Sequence, residues 1–110
     1  GLDLVLVARR VAALDELAER LQSEHRIRVQ LCPVDLAQPD AAARILAATA
    51  ALDIGLLLSN AGFGMKGEHA RNDAQAMSEM LMVNCHAPMQ LTHGFIPRLQ
   101  RRAPRRPNDR

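Results

Sequence analysis

The sequence predicts an α/β fold built on a parallel sheet of three strands with flanking helices. Two observations lead there. Short apolar runs without helical periodicity alternate with amphipathic segments, in the order strand–helix–strand–helix–strand–helix. The runs are also apolar on both faces, as strands of a buried parallel sheet are, and the connections between elements are short.

The first run, LDLVLVAR (2–9), contains β-branched Val and reads as a buried strand. Val11, Leu14, Leu17 and Leu21 then recur at helical spacing, with Ala18 beside them and Asp15, Glu16, Glu19 and Arg20 between. A helix over about 11–24 follows. IRVQLCPVDL (27–36) alternates apolar and polar residues and is the second strand. QPDAAARILAATAAL places Pro39 early in a helix, ahead of a run of Ala. DIGLLLSN (53–60) is the third strand, apolar almost throughout.

A polar stretch, GFGMKGEHARND, precedes one long helical pattern over about 74–102. Its stripe includes Met77, Met80, Leu81, Val83, Ala87, Leu91, Phe95, Ile96 and Leu99, and it is a core face rather than a ligand box. Pro88 and Pro97 are expected to bend or split this helix. Residues 1–102 thus form one domain, and APRRPNDR gives a basic tail over 103–110 with no periodicity, expected to be disordered.

Composition narrows the function. The 110 residues are 48% hydrophobic and 24% charged, within the range of a globular domain, and net charge is +2. The charge is uneven: the last ten residues hold five Arg and one Asp, so the other hundred sum to −2. No aromatic residues interleave with the arginines, which argues against nucleic acid. Cys32 and Cys85 have no CxxC spacing and are expected to be reduced core thiols. The four histidines are scattered, with no metal-ligand spacing, so no metal site is expected. No apolar run reaches transmembrane length and the N-terminus has no signal-peptide layout, which sets a cytoplasmic expectation.

One motif invites a nucleotide assignment and fails it. Gly62-x-Gly64-x-x-Gly67 has dinucleotide-binding spacing after an apolar run. A true fingerprint opens a helix at once and is followed, about 20 residues on, by a strand ending in an acid. Here 64–72 is too polar and glycine-rich to open a helix, and 83–88 is helical. The match is a decoy, and Gly64 and Gly67 keep a backbone role only.

The residues that overlap it are more specific. SNAG (59–62) resembles the NAG motif that follows the fourth strand in the short-chain dehydrogenase/reductase family, whose fold is Rossmann-like. LVLVARR (4–10) resembles that family's second strand and cofactor-choosing turn. CPVDL (32–36) resembles its third strand, and MLMVNCHAPMQLT (80–92) the helix that carries its active-site Asn. The resemblance covers about 2–102.

It implies roles, residue by residue. Asn60 would tie neighbouring strands, while Ala61 and Gly62 would let backbone lie close to the cofactor ribose. Asp35 would contact the adenine amino group, with Leu36 beside the ring. Ala8, where NAD-preferring members carry an acid, leaves room for a 2′-phosphate, and Arg9 and Arg10 supply guanidinium forks for it. That implies NADP. Asn84 would hold a water in a proton relay. His86 and His93 match no catalytic role and are expected to be structural.

Two of the family's features do not appear in the sequence: its phosphate-binding TGxxxGxG and its catalytic Tyr-x-x-x-Lys. There is no Tyr, and Lys66 is the only Lys. That pair moves a proton to or from the substrate oxygen, the Lys charge lowering the Tyr pKa. The expectation is therefore a central fragment of an NADP-dependent short-chain oxidoreductase of alcohols or carbonyls, inactive alone. The tail stands where a fifth strand would come, as an early termination or a shifted frame would leave it. The alternative is a non-enzymatic relic, or a module that associates through unpaired strand edges.

Overall fold

The computed structural model describes residues 2–102, so the basic tail predicted over 103–110 lies outside the described residues. Strand β1 (Leu4–Ala8) leads through helix α1 (Val11–His25) to strand β2 (Val29–Pro33). The two strands pair in parallel, with Leu4 opposite Val29 and Ala8 opposite Pro33. Val5 and Val7 pack against the main core, and α1 covers the strands with Leu14 and Ala18 buried.

Helix α1 has no side-chain cap at Arg10 and no acid in its first turn. It ends at Arg26, which takes the left-handed conformation (φ 53°) and donates its N–H to the Gln22 carbonyl at 3.0 Å. Helix α2 (Ala41–Ala48) begins after Pro39, which lies in the preceding turn rather than inside the helix. The core joins Cys32 and Val34 to Ala41, Ala42 and Ile45 of α2, and to Leu91 and Phe95 of the last helix.

The expected third strand, 53–60, does not pair. The sheet has two strands, β1 and β2, and residues 53–60 form neither strand nor helix. A strand needs a neighbour to take its backbone hydrogen bonds, and none of the described residues offers one here. Ile54 and Leu57 still pack on the core, but Leu56 and Leu58 are 62% and 78% exposed. The radius of gyration, 16.7 Å, exceeds the roughly 13 Å of a compact domain this long.

The long C-terminal helix is split. Helix α3 (Ala74–Leu81) opens on Asp73, whose carboxylate accepts from the Ala76 N–H at 3.0 Å. A π turn over Met82–His86 follows, then helix α4 (Ala87–Arg102). The break falls just before Pro88, which has no N–H for the carbonyl one turn back, while α4 runs on across Pro97. Arg98 fastens α4 to the end of α2. Its guanidinium donates to the Leu46 carbonyl at 2.8 Å and to the buried Thr49 hydroxyl at 3.0 Å, and lies 5.1 Å from the Phe95 ring centre.

Candidate functional site

The parallel register brings the first group of predicted residues together. At the C-terminal end of the sheet the Val34 N–H donates to the Ala8 carbonyl at 3.2 Å. Arg9 and Arg10 therefore leave β1 beside the point where Asp35 and Leu36 leave β2. Both arginines are exposed, next to the uncapped N-terminus of α1, whose N–H groups attract anions. Ala8 presents only a methyl group there.

Asp35 is partly occupied by its own turn. One carboxylate oxygen accepts from the Ala37 N–H at 3.0 Å, and the Asp35 carbonyl accepts from the Gln38 N–H at the same distance. That fixes the side chain and leaves its second oxygen for another donor. Leu36 is half-buried against the core.

The second group centres on Asn84, in the π turn. Its Oδ1 accepts from the Phe63 N–H at 3.0 Å, and its Nδ2 donates to the Phe63 carbonyl at 2.6 Å. One side-chain amide thus serves both backbone groups of a residue in the NAG loop, as a neighbouring strand would. Phe63 had no predicted role; its only signal in the sequence is that it directly follows the motif. Asn60, Ala61 and Gly62 are exposed. A Cβ built on Gly62 would stand 3.0 Å from Asn84 Oδ1.

The decoy glycines behave as a turn. Gly67 has φ +95°, and a short 3-10 turn over His69–Arg71 follows before α3. Cys32 is buried, as expected, and burial pushes its thiol above the ordinary 9.0 while the Arg44 guanidinium pulls back. Cys85 is exposed, not in the core. Leu81, one turn before it, is exposed as well. Among the described residues no group of three His, Cys, Asp or Glu is placed to hold a metal, and no helix is long and apolar enough to cross a membrane.

A parallel βαβ unit whose adjacent strands lead out into Arg9–Arg10 and Asp35, with a NAG loop pinned by a helix Asn, defines a protein of the Rossmann class. The comparisons agree. The chain belongs to the short-chain dehydrogenase family, whose model matches residues 1–105. It is 33% identical over 102 residues to a 7beta-hydroxysteroid dehydrogenase of Clostridium sardiniense, covering 93% of this chain and 39% of that protein. A short-chain dehydrogenase of Sphingobium yanoikuyae, solved in complex with NADPH, superposes with a TM-score of 0.84 at 32% identity, over 93% of this chain and 41% of that one. A bulky-bulky ketone specific alcohol dehydrogenase of Comamonas testosteroni gives 0.85 at 31% identity, with the same coverage. The chain therefore spans about two fifths of the length of these relatives.

Proposed function

We propose that this chain is the central part of an NADP-dependent cytoplasmic oxidoreductase acting on an alcohol or carbonyl, and that it supplies the adenine side of the cofactor pocket together with Asn84. The observation that carries this is the pairing of β1 and β2, which sets Arg9 and Arg10 beside Asp35 at one sheet edge. The donor set fits the group. Two exposed guanidinium forks and an uncapped helix N-terminus suit a 2′-phosphate, and Ala8 leaves room for it. Asp35 offers an acceptor for the adenine amino group, with Leu36 against the ring.

A bound nicotinamide cofactor would supply or accept the hydride. Ala61 and Gly62 would let the loop backbone lie against its ribose, with Asn60 steadying the strand end. Asn84 would hold a water in the proton relay, while its side-chain amide grips Phe63. The sequence has no Tyr to pass a proton to the substrate oxygen, so these 110 residues alone are expected to be inactive.

Titration of the chain with NADPH and with NADH, followed by nicotinamide fluorescence, tests the assignment. NADPH binding at least about tenfold tighter than NADH binding supports it. Equal affinity for the two removes the 2′-phosphate site. A second reading rests on the outer edge of β1, which pairs with no strand among the described residues, and on exposed Leu56 and Leu58. There the chain is a non-enzymatic module that associates through these edges. Concentration-dependent sedimentation without NADPH binding would favour it.

A further inference from the structure

We infer that Gly62 is a positioning residue that acts on Asn84, holding the π turn against the NAG loop, rather than only making room for a cofactor. Three observations meet at this point. The Asn84 amide grips Phe63 by both backbone groups, at 3.0 and 2.6 Å, across 21 positions of sequence. A Cβ at residue 62 would stand 3.0 Å from Oδ1 and 3.7 Å from Cγ of that amide. Gly67 is the one glycine with positive φ among the described residues, so residue 62 is not held in the left-handed region that favours glycine.

The third observation makes the assignment specific. Glycine stands at 62 because of what faces it, not because of its own backbone. A methyl group there would crowd Oδ1, and the amide would have to back away. A retreat of a few tenths of an ångström would disturb the hold on Phe63, since both bonds come from that one side-chain amide. The π turn joins the same device, since Asn84 lies at its centre, between Val83 and Cys85. Gly64 has no such neighbour: nothing lies within 4 Å of a Cβ built there, and its φ is not positive.

The inference does not depend on a cofactor, so its test needs neither ligand nor turnover. Four variants of the 110-residue chain suffice: Gly62→Ala, Gly64→Ala, Asn84→Ala, and Gly62→Ala combined with Asn84→Ala. The readouts are the exchange rate of the Phe63 amide proton and the Asn84 side-chain amide resonances by NMR, with circular dichroism as the check on folding. Gly62→Ala should speed exchange at Phe63 by about fivefold to tenfold, as loss of a hydrogen bond would. It should also move the Asn84 side-chain resonances, while Gly64→Ala leaves both unchanged.

With Asn84→Ala already present, Gly62→Ala should add less than about twofold, because the group it crowds is gone. If Gly62→Ala alone unfolds the chain, the double variant decides. Recovery to the level of Asn84→Ala supports the inference, and failure to recover overturns it. Phe63 exchange within twofold of the unsubstituted chain in a folded Gly62→Ala variant overturns it as well. Loss of NADPH binding with this coupling intact would count against the cofactor assignment alone.

Discussion

Replacing Arg98 by Met should loosen α4, the helix that follows the Asn84 turn, without emptying its packing. Met keeps the apolar stem and removes only the guanidinium. That group donates to the Leu46 carbonyl at 2.8 Å and to the Thr49 hydroxyl at 3.0 Å, and sits 5.1 Å from the Phe95 ring centre. The charged bond to a carbonyl is worth about 1.5 kcal/mol, the hydroxyl bond about 1 and the ring contact about 0.5 at a partly exposed site. Thr49 is 2% exposed, yet its hydroxyl still donates to the Ile45 carbonyl at 2.8 Å, so no unsatisfied donor adds to the loss. The expected cost is about 2–3 kcal/mol, a large part of the stability of a small domain. In urea, followed by circular dichroism, the midpoint should fall by about 1–2 M with an unchanged slope. A fall below about 0.3 M would show that Arg98 does not dock α4 on α2.

The other predictions test separate features. Arg9→Ala should weaken NADPH binding by about tenfold and leave NADH within about twofold, as removal of one exposed charged contact would; equal losses for both would refute the phosphate role. Arg26→Gly should raise stability by about 0.5–1 kcal/mol by urea unfolding, because glycine bears the φ of 53° without a Cβ penalty. A thiol reagent should label Cys85 at once and Cys32 only after unfolding, which mass spectrometry of the labelled peptides reads directly. The burial that raises the Cys32 thiol makes the folded chain hold its proton more tightly than the unfolded chain does. Its contribution to stability is therefore whole below the ordinary 9.0 and is lost as pH rises beyond it. Cys32→Val should remove that alkaline slope from urea midpoints measured over the range.

Much of this protein is determined by the sequence alone, because the signals are local. The apolar run at 4–8, the helical spacing of Leu14 and Ala18, and Asp73 ahead of α3 each specify an element within a few residues. Their order alone points to a parallel α/β sheet, and Arg9 and Arg10 follow directly on β1. What the tertiary structure decided depends on partners distant in the chain. Residues 53–60 have strand composition but no neighbouring strand, and a strand exists only through its partner's hydrogen bonds. Cys85 is exposed, as Leu81 one turn before it is, because among the described residues no distant segment packs over that face of the helix. The hold of Asn84 on Phe63, and the need for glycine at 62, join residues some twenty positions apart. Such contacts leave no periodicity in the sequence, since they arise from distances in space between segments that only folding brings together.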